Sequence, residues 1–188
     1  MKDQNAELAI DFGDRILRDR VGTDEAYLES IYDQYAKSMF RHAFALTGSA
    51  EDAEDAVQEV FVRIAREVKR LRKVENLRAY LGTSTRNAAY SILRTRKRKG
   101  ELDEAVCGEW QEATGIDIED SIIASGIMRE AFPKLTAEQR EVLVLKIFDG
   151  MTFREIAEAT VAPINTVTAR YRYGIDRLRR ALEGSNNG

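Results

Sequence analysis

The chain has 188 residues, 44% of them hydrophobic and 32% charged, with a formal net charge of −3. This length suits one ordinary domain or two small ones. The apolar runs are far shorter than the ~20 residues that cross a bilayer, and the first residues lack a signal-peptide segment, so we expect a cytoplasmic protein without membrane insertion. Because Cys107 and His42 are its single cysteine and single histidine, we expect no internal disulfide, no metal site and no cofactor.

The charges are strongly segregated along the chain. Six basic residues and no acidic ones lie between Arg86 and Lys99, whereas eight acidic residues and no basic ones lie between Gly100 and Ile122. Such a boundary indicates two different surfaces or partners. The acidic overall charge therefore does not exclude a nucleic-acid partner.

The first part of the chain predicts three helices. Residues 1–23 contain one weak amphipathic stretch and are interpreted as an N-terminal extension of open function. From Asp24, apolar residues at steps of three and four predict a helix that ends at Thr47 to Ser49. Ser49 is the predicted N-cap of a second helix, which begins with acidic residues and extends to Leu71.

A short break, Arg72 to Asn76, separates these helices from a third, predicted over Leu77 to Lys99 and ending in a basic tail. Residues 100–126 lack clear periodicity and are predicted to be an acidic linker. The sequence thus predicts a first domain at 24–99 and a second domain at 127–183, followed by a tail at 184–188.

The second domain has its own helix signals. Thr136 with Gln139, and Thr152 with Glu155, fit capping boxes, and Gly150 is a predicted stop. The second capping box begins a helix whose apolar face was assigned to Phe153, Ile156, Ala157 and Thr160. Pro163 suits the first turn of a last helix, whose predicted buried stripe is Ile164, Val167, Tyr171, Ile175, Leu178 and Leu182. Two short helices with a break between them, over Thr152 to Tyr173, are typical of a helix-turn-helix.

The exposed face of the last helix carries polar side chains and arginines suited to duplex DNA. A helix of this kind fits the major groove, where base contacts discriminate sequences and phosphate contacts fix position. The residues assigned to base reading are Thr166, Thr168, Ala169, Arg172 and Tyr173, and those assigned to the DNA backbone are Arg154 and Arg170.

The third helix of the first domain is a candidate for binding a single strand. It is basic, and the loop before it has room for an unstacked base. Its predicted exposed residues are Thr83, Ser84, Arg86, Asn87 and Tyr90. From the residues alone, a repressor, a response regulator, a transposase or a plain helical bundle with a basic edge remains open.

Three segments together resemble the extracytoplasmic-function (ECF) group of sigma-70-type sigma factors. "DAEDAVQEVFVRI" at Asp52 to Ile64 is similar to region 2.2 of that family, and "LRAYLGTSTRNAAYSILRTRKRK" is similar to regions 2.3 and 2.4. "LTAEQREVLVLKIFDGMTFREIAEATVAPINTV" is similar to region 4. The resemblance implies an all-α fold of two small helical domains, a region 2 bundle and a region 4 helix-turn-helix, joined by the acidic linker.

The resemblance also implies function and partners. It implies a promoter-specificity subunit that binds core RNA polymerase, at the β′ clamp helices and the β flap, and promoter DNA, with an anti-sigma factor as a candidate partner. The linker would follow the RNA-exit path. The residues implied for polymerase binding are Asp52, Glu54, Asp55, Gln58, Glu59 and Phe61, and those implied for the −10 strand are Arg72, Lys73, Asn76, Tyr80, Thr83, Arg86 and Asn87.

Some positions depart from the family pattern. Tyr80 stands where a tryptophan is usual, and Thr168 and Ala169 replace a basic residue and a serine, so the −35 sequence of relatives does not carry over. Val161 occupies the usual glycine of the turn. Because a left-handed conformation strains a β-branched residue, we expect a slightly altered turn. Gly174, unusual inside a helix, is predicted to allow close approach of a helix or of DNA.

Other functions are less consistent with the sequence. We find no catalytic triad, paired carboxylates or phosphate loop, so we do not expect an enzyme. His42 is interpreted as a surface or boundary residue. The alternative function is a stand-alone helix-turn-helix regulator whose first domain dimerises or senses a ligand, and it predicts duplex binding without binding to core polymerase. A third possibility is a protein adaptor that has lost DNA binding. In that case Arg170→Ala and Arg172→Ala should leave promoter binding and its salt dependence unchanged.

Overall fold

Every regular element in the described part of the chain is helical. The computed structural model describes residues 22–99 and 132–185. The predicted acidic linker, with Cys107 and Trp110, and nearly all of the N-terminal extension lie outside these residues. In chain order the elements are α1 (Asp24–Thr47), α2 (Ala50–Arg66), α3 (Val68–Leu71), α4 (Leu77–Lys99), a 3₁₀ turn (Phe132–Lys134), α5 (Ala137–Leu143) continued by a π turn (Val144–Phe148), α6 (Phe153–Thr160) and α7 (Ile164–Ser185).

Capping residues set the ends of the first helices. Thr23 accepts a hydrogen bond from the Ala26 amide at 3.2 Å, and Gly48 ends α1 in the left-handed conformation with φ 71°. Ser49 caps α2, as predicted. The single helix predicted from there to Leu71 is wrong, because it breaks at Glu67. The Glu67 amide bonds to the Ile64 carbonyl, three residues back, which tightens the last turn and ends α2.

Helices α1 to α4, here called the first bundle, enclose one apolar core. Ile31 of α1, Ile64 of α2 and Leu77 and Leu81 of α4 are almost completely buried and belong to the same cluster. Burying a side chain of this size stabilises the fold by roughly 1.5–3 kcal/mol. The core therefore fixes how α4, which carries the basic tail, lies against α1 and α2.

Helices α5 to α7 form the second bundle, and both predicted capping boxes are present. The Thr136 side chain accepts from the Gln139 amide while Gln139 accepts from the Thr136 amide, and Thr152 and Glu155 form the same pair of bonds. Between them, the Asp149 amide bonds to the carbonyl of Val144, five residues back. This π turn was not predicted. Gly150, the predicted stop, follows it with φ 63°.

The predicted apolar stripe of α7 is mostly right over the side chains that the structure describes, and the Leu182 side chain lies outside them. Val167 is fully buried, but Ile164 is 49% exposed, so its predicted burial is wrong. Ile164 is the first residue of α7 and lies one turn before Val167, where packing against the bundle begins. Gly174 lies against α5: a Cβ added there would be 2.9 Å from Leu143 Cδ1, which confirms a close helix contact.

The turn between α6 and α7 keeps the left-handed conformation despite its residue type. Val161 has φ 51° and ψ 45°, so the altered turn that we expected is wrong. Its amide still bonds to the Glu158 carbonyl at 3.3 Å, and its side chain is 73% exposed. The backbone therefore keeps the left-handed conformation at a β-branched residue, with the strain that this brings, and does not adopt a different turn.

We expect Val161→Gly to raise the free energy of unfolding by about 1 kcal/mol, because glycine adopts this conformation without strain and this gain exceeds its added chain entropy. Urea unfolding followed by circular dichroism measures the change. Val161→Ala removes most of the same exposed side chain but retains a Cβ, so it should raise the free energy of unfolding by less than Val161→Gly does. Equal gains for both variants would contradict a backbone origin.

The two bundles pack against each other, with α1 against α5 and α4 against α6. His42 of α1 lies in this contact and is only 1% exposed, so its assignment to the surface is wrong. No local pattern around His42 indicated this burial, because the covering residues come from the second bundle. Within the described ranges, no helix has the length and apolar character needed to span a membrane.

Candidate nucleic-acid and polymerase interfaces

The outer face of α7 presents most of the side chains assigned to base reading. Thr166, Thr168, Arg172 and Tyr173 are exposed, and the Arg172 guanidinium lies over the Tyr173 ring at 5.3 Å. The buried Val167 lies on the opposite side of the helix, packed into the second bundle. The burial pattern therefore leaves this face free for a partner.

Two of the assigned residues are less available than the sequence predicts. The Thr168 hydroxyl donates to the Ile164 carbonyl at 2.8 Å, which leaves its oxygen only as an acceptor. Ala169 is half-buried. On this face, the side chains available to contact a base edge are therefore mainly Thr166, Arg172 and Tyr173.

The two arginines assigned to the DNA backbone have different surroundings. Arg154, on α6, is exposed. Arg170 is half-buried and acts electrostatically on Tyr90 of the first bundle and on Glu138 of α5. Arg170 is thus placed towards the contact between the bundles and not on the outermost face of α7.

The pKa values of two residues near Arg170, Tyr90 and Glu138, are shifted by burial, hydrogen bonds and the charges around them. Burial raises the pKa of the Tyr90 phenol, and Glu141 raises it further, while Arg86 and Arg170 oppose the rise. The pKa of Glu138 is lowered, first by a backbone hydrogen bond and also by Thr136 and Arg170. Positive and negative side chains of both bundles therefore face one another here.

The residues assigned to the −10 strand begin in the loop before α4. Arg72 is held by Asp24 and by the Thr23 carbonyl, with its guanidinium 4.4 Å from the Tyr27 ring centre. Lys73 is exposed. The Asn76 side chain accepts from the Ala79 amide at 2.9 Å, which caps α4. Tyr80 is half-buried against the core of the first bundle.

Farther along α4, exposure differs from the prediction at four of five positions. Asn87 is exposed, as expected, whereas Ser84 is 7% exposed and Tyr90 is half-buried. Thr83 and Arg86 are also half-buried, because α6 and α5 lie beside them. The second bundle therefore covers part of the surface that was assigned to a single strand.

Glu158 of α6 makes hydrogen bonds with two of the −10 candidates. Asn76 Nδ2 donates to Glu158 Oε2 at 3.4 Å, and the Thr83 hydroxyl donates to the Glu158 carbonyl at 3.3 Å. Between them, a Cβ added to Gly82 would lie 3.0 Å from the Ala159 Cβ. Helices α4 and α6 are therefore in direct contact.

Glu141 of α5 receives two further bonds from the first bundle. Its Oε1 lies 3.1 Å from Arg86 Nε and 2.9 Å from His42 Nε2, and the carboxylate is fully buried. A second ion pair joins Arg41 Nη2 to Asp149 Oδ1 at 2.5 Å. Sequence reasoning missed these contacts, since the paired residues lie 55 to 108 positions apart along the chain.

The exposed face of α2 carries most of the residues assigned to polymerase binding. Glu54, Asp55, Gln58 and Glu59 are exposed, and Glu59 pairs with Arg63 of the same helix at 2.7 Å. This leaves an acidic and polar surface along one side of the helix.

Two other members of that set pack inside the first bundle. The Phe61 ring is half-buried and lies 5.1 Å from the exposed Tyr32 ring. Asp52 is 7% exposed and binds Arg96 of α4 at 2.5 Å, so it links two helices instead of projecting outward.

An additional basic groove lies near the end of α4. It is lined by Ser91, Arg94, Lys97 and Arg98, three of which are cations. The basic tail was evident in the sequence, but its individual residues were not assigned to a site. The groove adds positive potential next to the −10 candidates.

Comparison with known proteins accounts for both bundles. The family "Sigma-70 region 2" matches residues 31–99, and the family "Sigma-70, region 4" matches residues 125–182. The chain belongs to the sigma-70 family. Its relatives place it in the ECF group, which confirms the resemblance inferred from the motifs.

Two ECF relatives match along nearly their whole length. The sequence is 26% identical to the ECF sigma factor SigW of Bacillus subtilis, over 89% of this chain and 95% of SigW. It is 26% identical to SigL of Mycobacterium tuberculosis, over 85% of this chain and 91% of SigL. In structure it is similar to the sigma factor RpoE of Bartonella quintana, with a TM-score of 0.62, 23% identity and coverage of 82% and 96%.

This ECF sigma factor is a promoter-specificity subunit of RNA polymerase. Region 2 comprises the first bundle and region 4 the second. The alternative of a stand-alone helix-turn-helix regulator is not favoured, because the first bundle is itself a sigma region.

Proposed function

We propose that this sigma factor divides promoter recognition among three faces. The exposed side of α2 binds the β′ clamp helices of core polymerase. The loop before α4, with α4 itself, holds the −10 strand, and the outer face of α7 reads the −35 element. The chain acts in the cytoplasm and by binding, without catalysis of its own.

The observation that carries this proposal is the difference in charge between α2 and α4. Four exposed candidates on α2 are acidic or polar, namely Glu54, Asp55, Gln58 and Glu59. In contrast, α4 ends in a groove lined by arginine and lysine. A basic surface attracts the phosphates of DNA, and an acidic one repels them. The acidic face is therefore suited to a protein partner and the basic one to nucleic acid.

The individual roles follow from exposure. Lys73 and Asn87 are free to contact the −10 strand, and Arg72 stiffens the loop through its bonds to α1. Phe61 and Tyr32 add apolar area beside the acidic face of α2. Asp52 takes a positioning role, since it holds α4 against α2.

The domain boundaries and further partners belong to the same proposal. We assign region 2 to 24–99, the linker to 100–126 and region 4 to 127–183, with contacts to the β flap from region 4. The RpoE structure was solved in complex with the anti-sigma factor NepR. That complex supports an anti-sigma factor as a partner of this chain too.

We expect Asp55→Arg to weaken binding to core polymerase about tenfold or more, because it places a positive charge in the centre of the acidic face and so removes the charge complementarity proposed for that surface. Biolayer interferometry with immobilised core enzyme measures the affinity. The control, Glu29→Arg, makes the same kind of charge reversal at an exposed position of α1, outside every proposed face. If both variants bind equally well, α2 is not the docking surface.

A further inference from the structure

An exposed isoleucine begins the helix that we propose reads the −35 element. Ile164 is 49% exposed, and the exposed Thr168 follows it one turn later. Residues four apart on a helix lie one above the other, so Arg172 is the next member of the same row. An apolar side chain, a threonine and the proposed base reader therefore share one side of α7.

The Thr168 hydroxyl is already used within the helix. It donates to the Ile164 carbonyl at 2.8 Å. Because the threonine Cβ carries only a hydroxyl, a methyl group and a hydrogen, the outward part of this exposed side chain is mainly its methyl group. An apolar partner would leave no hydroxyl donor unpaired. Thr168 and Ile164 together thus present methyl groups to a partner.

Thymine is the base that such a surface can recognise. Its 5-methyl group projects into the major groove, where the other bases have none, and threonine methyls and other apolar side chains contact it. In a helix-turn-helix, the N-terminal residues of the second helix lie closest to the base edges. Ile164 is at that end of α7, and Thr168 is one turn from it. Their position and their chemistry therefore favour the same ligand.

We propose that Ile164 and Thr168 recognise a thymine of the −35 element by its 5-methyl group, with Thr168 acting through its own methyl and not through its hydroxyl. The inference rests on the proposed reading of the −35 element by α7. Four helical residues rise ~6 Å and base pairs are ~3.4 Å apart, so this thymine lies within about two base pairs of the base that Arg172 contacts.

The test compares thymine with uracil, which lacks only the 5-methyl group. Holoenzyme is used to select from two promoter libraries randomised at the −35 element, one synthesised with thymidine triphosphate and the other with deoxyuridine triphosphate. Sequencing of the bound DNA gives the preference at each position, and the fixed flanks do not enter this comparison. For the wild type, we expect the preference for thymine near the Arg172 position to fall about fourfold in the uracil library, the loss of one buried methyl group.

Two substitutions separate the methyl of Thr168 from its hydroxyl. Thr168→Ser keeps the hydroxyl and removes the methyl, so the fall between the libraries should shrink to less than about twofold. Thr168→Val keeps a methyl and removes the hydroxyl, so the full fall should remain. A full fall in the Thr168→Ser variant, or no fall in the wild type, would overturn the inference.

Ile164 has a matched control in the same bundle. Ile164→Ala should also reduce the fall between the libraries, because it removes apolar surface beside Thr168. Ile147, in the π turn after α5, is 40% exposed and lies outside the row on α7. Ile147→Ala removes the same atoms and should leave the preferences in both libraries as in the wild type. Equal effects of the two variants would overturn the role of Ile164.

Arg172→Ala distinguishes failure of this inference from failure of the proposed function. If Arg172→Ala relaxes the −35 preference while the wild type selects thymine and uracil equally well, recognition of the methyl group is wrong and α7 still reads the element. If neither Arg172→Ala nor Thr168→Ser changes the preference at any −35 position, α7 does not read the element. In that case the proposed function of α7 fails, and the inference fails with it.

Discussion

A chain with Ile64→Ala is expected to lose about 2–5 kcal/mol of its free energy of unfolding, the largest effect that we predict for a single substitution. Ile64 is 1% exposed and belongs to the core that holds α1, α2 and α4 together. Its truncation removes buried methyl groups and leaves a cavity. A small domain is stable by only about 5–15 kcal/mol, so this loss is a large fraction of the total.

Urea unfolding measures this effect, and the same helix supplies the control. Val62 lies two residues earlier on α2 and is 53% exposed. Val62→Ala should change stability by no more than about 0.5 kcal/mol. Similar losses for Ile64→Ala and Val62→Ala would contradict the orientation of α2 described above.

Arg172→Ala is expected to relax discrimination among −35 sequences by about 10- to 100-fold, which is the loss of one good base contact of about 1–3 kcal/mol. Arg172 is exposed on the outer face of α7, with its guanidinium over Tyr173. Selection from a library randomised at the −35 element, followed by sequencing of the DNA bound by holoenzyme, gives the preference at each base.

Two arginines of the same helix serve as comparisons. Arg170→Ala should weaken binding to most sequences alike, because the sequence assigns this half-buried residue to the DNA backbone and not to a base edge. Arg179 is exposed farther along α7 and pairs with Asp176 at 3.7 Å, so Arg179→Ala should leave the preference unchanged. Loss of specificity in the Arg179→Ala variant as great as in the Arg172→Ala variant would refute base reading by Arg172.

Local sequence signals predicted the helices well. The capping boxes at Thr136 and Thr152 and the left-handed Gly48 depend on residues within a few positions of each other, and each ends or begins a helix as expected. The π turn after α5 has no such signal. Ile164 shows the limit of periodicity, since the correct spacing does not reveal where a partner helix begins.

The candidate site was predicted in outline but not in its contacts. Exposed residues such as Arg172 and Asp55 follow from helical spacing and charge alone. The burial of His42 and the pairing of Arg86 with Glu141 depend on how two separate bundles meet. No local pattern encodes that arrangement, because its partners are distant in the chain.

The strained Val161 also has a genetic consequence. Every valine codon becomes a glycine codon by a single change at its second base, so the unstrained variant is always one mutation away. Selection for suppressors of a destabilised region 4 should therefore recover Val161→Gly repeatedly.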